Sequence, residues 1–263
     1  MTQSIGFIGS GSIGGALARL AAAAGLNVVL SNSRGPKTLA DLVGELGRNA
    51  GAATPEQAAQ ASDLVVVATP LKAYEKLPAA ALKGKIVIDT MNYYPIREGQ
   101  MPILDTAKLT SSELVQQHLK GAKVVKALHN QDAPHLFINA CPLDRGSRTT
   151  LPIAGDDPEA KKAVTRFMDV IGYNAIDIGP LSESWRIEPG TPIYVWPYAP
   201  TVPDGLSGEE AEHWYSTTAG EPLSVSQAEE LIAKAVKKFP VGGFPDDLPP
   251  AWTSIAAKRR SGK

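Results

Sequence analysis

Three observations predict an α/β fold built on a doubly wound parallel sheet. Apolar runs of strand length recur through the first half of the chain, at 5–8, 27–30, 64–68, 85–88 and 123–127, and helical or alanine-rich segments separate most of them. The runs are uniformly apolar rather than alternating, which suits strands covered by helices on both faces. Right-handed crossovers then place a ligand at the carboxyl ends of the strands.

The first run leads directly into Gly9-Ser10-Gly11-Ser12-Ile13-Gly14 and a helix predicted from Ile13 to Ala24. Strand, glycines and helix in that order form a Rossmann-type dinucleotide site: a tight turn, close approach of backbone to pyrophosphate, close packing of helix on strand, and a helix N-terminus that favours an anion. The second run ends in Ser31, Asn32, Ser33 and Arg34, with Lys37 one turn on and no carboxylate. An acidic residue there would bond the 2′-hydroxyl of NAD. Hydroxyls, a guanidinium and an ammonium suit a 2′-phosphate instead, so the expected cofactor is NADP(H). Thr69 and Pro70, after the run 64–68, are expected along the cofactor, with Thr69 able to bond a ribose or phosphate. Asn92, following Asp89 and Thr90, belongs to the same layer.

Farther on, Thr110 and Glu113 predict a capping box for a helix ending near Lys120, which delivers the chain to 123–127. A second unit follows. "TTLPIAG" reads as a strand; Asp157 as N-cap, with Pro158 at the first helical position, opens a helix stopped by Gly172; its stripe is Ala160, Ala163, Val164, Phe167, Met168 and Ile171. "NAIDIGP" brings the chain back as another strand. Prolines 189, 192, 197, 200 and 203 exclude a long helix there and predict a binding loop or an arm over a partner. Ser226 and Glu229 predict a cap for a last helix with Ala228, Leu231, Ile232, Ala235, Val236 and Phe239 on one face, before a basic tail. The expected organisation is an NADP-binding domain over 1–145 and a small C-terminal substrate and dimerisation region over 146–263.

Composition narrows the partners. A formal net charge of -1 gives no broad attraction for nucleic acid or anionic lipid, so a shaped small-molecule pocket is expected. Cys141, the only cysteine, excludes an internal disulfide and leaves no zinc pattern, which fits a reducing cytoplasm. No stretch reaches the roughly 18 apolar residues that span a bilayer, and no basic leader precedes the first run; neither export nor a membrane is expected. In "VVKALHNQDAPH", His129 either bonds a substrate oxygen beside the nicotinamide or is a satisfied turn histidine. His118, His135 and His213 carry no motif and are read as structural or exposed.

Together "IGFIGSGSIGGALA", "SNSR", "KVVKALHN", "LPIAGDDPEAKKAV" and "DIGPLSES" resemble the NADP reductases dependent on the deazaflavin coenzyme F-420, a family related to the cytoplasmic domains of metalloreductases. The similarity covers about residues 4 to 195. It implies a Rossmann domain with a small C-terminal substrate domain, usually as a homodimer, exchanging a hydride between C4 of the nicotinamide and C5 of F-420. By motif, the phosphate role passes to residues 9–14, the 2′-phosphate role to Ser33 and Arg34, and the cleft role to His129. Such chemistry gains its rate from proximity and needs no nucleophile or metal.

The chain departs from the family pattern after "GPLSES", where Trp185 to Glu188 meet a Pro189-Gly190 break. The proline- and tryptophan-rich stretch beyond makes the acceptor open. Flavin, quinone, carbonyl or imine are alternatives to F-420, as is an NADPH-binding protein without turnover. Trp185, Tyr194, Trp196 and Tyr198 either line a slot for a planar ligand or cap a core, and Arg145, Arg148 and Arg186 are the basic groups available to an acidic deazaflavin tail.

Overall fold

The computed structural model describes residues 4–142 and 148–250. The predicted basic tail, Arg145 and the 145/146 boundary lie outside the described residues. Eight strands form one sheet: β1 (Ser4–Ile8), β2 (Asn27–Ser31), β3 (Ala50–Ala52), β4 (Leu64–Val67), β5 (Ile86–Asp89), β6 (Lys123–Lys126), β7 (Thr150–Gly155) and β8 (Asn174–Asp177). Their order is β3-β2-β1-β4-β5-β6-β7-β8. Eleven α-helices are described: α1 (Ser12–Ala23), α2 (Ala40–Leu46), α3 (Pro55–Gln60), α4 (Ala79–Leu82), α5 (Pro95–Glu98), α6 (Pro102–Asp105), α7 (Ser111–His118), α8 (Ala133–Ile138), α9 (Pro158–Ile171), α10 (Gly208–Thr217) and α11 (Val225–Ala233).

Successive side chains of a strand point to opposite faces, and here both faces are apolar. In β4, Leu64 and Val66 join one core with Leu17 of α1 and Phe167 of α9. Val65 and Val67 join the other with Leu82 of α4 and Val115 of α7. This is why the runs read as continuously apolar. Elements without that signal include β3, an Ala-Gly-Ala edge, and α10, which Ser207 and Glu210 cap reciprocally.

All neighbouring strands are parallel except β6 and β7. A parallel crossover must carry the chain back across the sheet, and the six residues of α8 rise only about 9 Å. So β7 starts from the edge where β6 ends and runs the other way. The 14 residues of α9 are long enough to return the chain, and β8 is parallel to β7. The ends of α9 are as predicted: the Asp157 side chain accepts from the Ala160 N–H, and Gly172 closes the helix at φ 101°.

The last helix corrects the predicted cap. Ser224, not Ser226, stands extended and accepts from the Gln227 N–H, while the Gln227 side chain accepts from the Ser224 N–H. The same serine-to-amide spacing begins two residues earlier than read, which puts Ser226 inside the first turn. The helix stops at Ala233. Ala228 and Ile232 are buried, whereas Val236 (75% exposed) and Phe239 (67%) lie beyond its end, where the chain turns and Lys238 meets Asp247 at 2.6 Å. Ser224→Ala is therefore expected to cost about 1 kcal/mol in denaturant unfolding, and Ser226→Ala less than about 0.5 kcal/mol.

Candidate functional site

The turn between β1 and α1 has room for no side chain at two positions. Gly9 has φ +101°, and a Cβ on it would lie 2.4 Å from the Ala68 carbonyl oxygen; one on Gly14 would lie 2.0 Å from the Gly9 carbonyl oxygen. A Cβ on Gly11 would meet nothing within 4 Å, so this backbone faces open space at the N-terminus of α1. The end of β2 braces the turn. The Ser31 carbonyl accepts from the Gly9 N–H (3.0 Å) and from the Ser10 hydroxyl (2.8 Å), and the buried Ser31 hydroxyl donates to the Phe7 carbonyl (2.7 Å). Ser31 is thus committed to the fold rather than presented to a ligand.

Asn32 shapes the next turn, its Oδ1 accepting from the Arg34 N–H at 2.9 Å and its Nδ2 donating to Thr38 at 2.9 Å. This leaves Ser33, Arg34 and Lys37 exposed at the carboxyl edge of β2. Among the described residues neither cation has a carboxylate partner.

A cavity of about 500 Å³ opens at the same edge, lined by Ser12, Ile13, Thr69, Pro70, Asn92 and His129 among others. Six residues singled out from sequence therefore meet around one space, although they come from four separate segments. Residues not anticipated complete it: Tyr94 and Arg97 after β5, Gln131 and Asp132 after β6, and Gly243 to Pro245 with Leu248 from the far end of the chain. The signal for them was the tyrosine pair directly after β5 and the Gly242-Gly243 doublet. A Cβ on Gly243 would lie 2.5 Å from the Tyr94 ring, so the backbone itself is pressed against the wall.

Polar groups in the wall form a chain. Asn92 Nδ2 donates to the His129 carbonyl (3.1 Å) and to the Tyr194 hydroxyl (3.1 Å), which is in turn hydrogen-bonded to the Tyr94 hydroxyl. Asn92 Oδ1 is buried with no partner. The Thr69 hydroxyl has only the Met91 sulfur at 3.3 Å, a weak acceptor, and remains available. Leu128 and Val195, two of the three described non-glycine residues with positive φ (56° and 58°), flank this wall. The Val195 N–H donates to the Asn130 carbonyl at 2.8 Å, which holds the two strained segments together.

The His129 ring is 1% exposed, and its Nε2 donates to the Ile187 carbonyl at 2.9 Å. A carbonyl only accepts, so Nε2 carries the proton and Nδ1, without a partner, does not. Burial first, and then the positive charge of Lys126, hold the His129 pKa well below its usual range. Lys126 itself lies buried under the cavity. It donates to the Met91 carbonyl and to Ser111 Oγ (3.3 Å), and it sits 3.9 Å from Asp89, which also accepts from Ser112 (2.6 Å) and the Met91 N–H (2.9 Å).

Two of the three basic groups expected near a deazaflavin tail, Arg148 and Arg186, lie elsewhere, which corrects that expectation for them. Arg148 is 4% exposed and spends its donors on the Cys141 and Pro142 carbonyls (2.8 and 2.6 Å) and on Asp169 (2.5 Å). Arg186 pairs with Glu183 (2.6 Å) and lies 4.4 Å over the Trp185 ring, beside a smaller hollow that Lys237 and Lys238 also line. Of the aromatic residues, Tyr194 lines the cavity, Tyr198 is core, and Trp196 is half exposed with its N–H on the Asp247 carbonyl (3.0 Å). His135 is buried on Asp132 (2.6 Å), His118 sits on the Leu77 carbonyl (3.2 Å) and His213 is exposed. Among the described residues, no helix is long and apolar enough to cross a membrane, and no cluster of three or more His, Cys, Asp or Glu could hold a metal ion.

Residues 4–93 match the family model described as NADP oxidoreductase, coenzyme F-420-dependent. A hypothetical protein of Sinorhizobium meliloti superposes with a TM-score of 0.64 at 30% identity, over 74% of this chain and 93% of that one. Residues 4–93 belong to the family of coenzyme F-420-dependent NADP oxidoreductases. A protein described as an F-420-dependent NADP-reductase of Arthrobacter sp. FB24 shares the fold of this chain (TM-score 0.58, 24% identity, 70% of this chain and 87% of that one). Metalloreductase STEAP3 of Rattus norvegicus is 30% identical over 186 residues, which is 70% of this chain and 35% of that protein. The chain thus spans about a third of that relative's length.

The protonation of His129 has a consequence for this oxidoreductase. A ring kept neutral in the native state, with its pKa well below the ordinary 6.5 of a histidine, resists a proton that the unfolded chain accepts. Its contribution to stability is complete above pH 6.5 and is lost as the pH falls below it, by up to about 1.4 kcal/mol per pH unit. His129→Gln should flatten the acid side of the stability curve measured by urea unfolding from pH 7 to 5, and an unchanged slope would exclude this histidine as the cause.

Proposed function

We propose that the chain is an NADPH-dependent oxidoreductase that exchanges a hydride with coenzyme F-420 inside the cavity of about 500 Å³. The observation that carries this reading is the shared lining: the start of the glycine-turn helix, the Thr69-Pro70 loop, Asn92 and His129 face one space. NADP(H), when bound, supplies the transferable hydride at C4 of its nicotinamide ring.

The residues present fit that cofactor. Gly9 and Gly14 hold the turn, while the open backbone at Gly11, with Ser10, Ser12 and Ile13 beside it, could receive a pyrophosphate at the helix N-terminus. Ser33, Arg34 and Lys37 offer donors without competing carboxylates to a 2′-phosphate. Thr69 and the unpartnered Oδ1 of Asn92 could meet a ribose and a carboxamide N–H. Ser31 and Asn32 support this edge from beneath. His129, neutral and held by Ile187, keeps its part of the wall rigid and leaves Nδ1 as an acceptor. In this reading residues 1–145 bind the nucleotide, residues 146–263 complete the acceptor wall, and the protein works as a cytoplasmic homodimer.

Arg34→Ala is expected to raise KM for NADPH at least tenfold while changing that for NADH less than twofold. Equal changes would remove Arg34 from the 2′-phosphate. For the acceptor, NADPH and oxidised F-420 mixed with the purified protein should lose both absorbances in equal amounts, and NADPH bound without F-420 reduction would refute that partner. One observation favours a second reading. Among the described residues, neither Arg148 nor Arg186 lines the cavity and Arg97 is the cation that does, which suits an acceptor smaller and less charged than F-420.

A further inference from the structure

The geometry points to an activity beyond F-420 exchange: we propose that the Tyr94–Tyr194 phenol pair protonates the oxygen of an aldehyde or ketone as NADPH reduces it, with Tyr94 as the acid. This rests on the NADPH reading above. Both phenols line the cavity and are hydrogen-bonded to one another, and the Tyr194 oxygen also accepts from Asn92 Nδ2 at 3.1 Å. Two O–H protons therefore share one contact. Whichever phenol donates in it, one O–H is left with no acceptor among the described residues, in the wall of the cavity. Tyr194 is 4% exposed and pinned by Asn92, whereas Tyr94 is more open. The leftover proton is assigned to Tyr94.

The wall sorts acceptors by what reduction leaves on them. In the step, the dihydronicotinamide C4–H bond breaks and its electron pair forms the new C–H bond at the carbonyl carbon; the C=O π pair moves to oxygen, where an O–H bond forms as the Tyr94 O–H breaks. The nicotinamide leaves oxidised, the carbonyl leaves as an alcohol, and water reprotonates the phenolate. An alkoxide is far more basic than a phenolate, so a neutral phenol is a competent donor to it. A reduced deazaflavin or quinone spreads its charge and needs no such acid. Burial keeps Tyr94 protonated, its pKa pushed up to about 12. The transient phenolate has the Tyr194 hydroxyl to donate to it, and the guanidinium carbon of Arg97, which is paired with Glu98, lies 4.6 Å from the Tyr94 ring centre. The remaining wall, with Ile13, Ile96, Val195, Phe244 and Leu248, suits an apolar body such as an aryl aldehyde.

The test uses the full chain with NADPH and benzaldehyde or cyclohexanone, together with NADPH binding followed by its fluorescence. The wild-type protein is expected to oxidise NADPH with one of these carbonyls. Tyr94→Phe should lower kcat about 100-fold or more. Tyr194→Phe, a positioning change, should lower kcat about tenfold with KM for the carbonyl unchanged, and it serves alone if Tyr94→Phe fails to fold. NADPH bound but neither carbonyl reduced would overturn this proposal and leave the NADPH reading standing; no NADPH binding would overturn both. Wild-type kcat in Tyr94→Phe, or a Tyr194→Phe loss seen only in KM, would also overturn it.

Discussion

Everything at the carboxyl edge of the sheet depends on how closely α1 sits on the end of β1. The Gly9 carbonyl and the backbone of Gly14 approach until no side chain fits between them, and the Ser31 carbonyl draws the turn against β2 with two hydrogen bonds. A helix started this tightly cannot drift. Its first residues, Ser12 and Ile13, are held where they can form one wall of a cavity, while the arginine-bearing turn after β2 is tied to the same point through Ser31. The glycine turn, the basic turn and the cavity are in this sense one rigid assembly.

The short α8 is the second determinant. Because it cannot carry the chain back across the sheet, β7 reverses direction and the C-terminal segments return over the edge where the cavity opens. Side chains just after β6 then hold them there. Asn130 donates to the Ile187 carbonyl (2.9 Å), Asn139 donates to the Tyr198 carbonyl (2.9 Å) and accepts from the Gly220 N–H (2.9 Å), and Asp132 accepts from the Tyr215 hydroxyl (2.9 Å). Apart from the Asn130 Oδ1, which is buried without a partner, these polar groups are buried yet partnered, which is the condition under which burial of polar groups specifies an arrangement instead of opposing it.

What was legible in the sequence follows from range. The glycine turn, the basic turn and the caps of α7 and α9 are each written within a few neighbouring residues, and the structure has them in place. The edge strand β3 was invisible because Ala-Gly-Ala presents no apolar run, and the cap of α11 was misplaced because two serines two residues apart offer the same spacing. The far wall of the cavity was hard to read for a different reason: Tyr94, Tyr194 and Gly243 are brought together only by the reversal at β7, and neither the tyrosine pair nor the glycine doublet says that these distant segments meet. The aromatic residues of the proline-rich stretch were open between slot and core, and they divide, Tyr194 facing the cavity and Tyr198 the core. Arg148 shows the limit from the other side. Its charge was evident, but that its donors are used up on two carbonyls and Asp169 is a fact of packing.

The Gly242-Gly243 doublet lets the segment 241–248 lie flat between two hollows, with Gly242 bordering the smaller and Gly243 the larger. That partition makes the molecule modular. The exposed basic residues Arg34 and Lys37 sit beyond the end of β2, more than 200 positions earlier in the chain than the partition that bounds the cavity. Altering the partition reshapes the cavity from one side and leaves the basic turn untouched, so the two are separately mutable in this architecture.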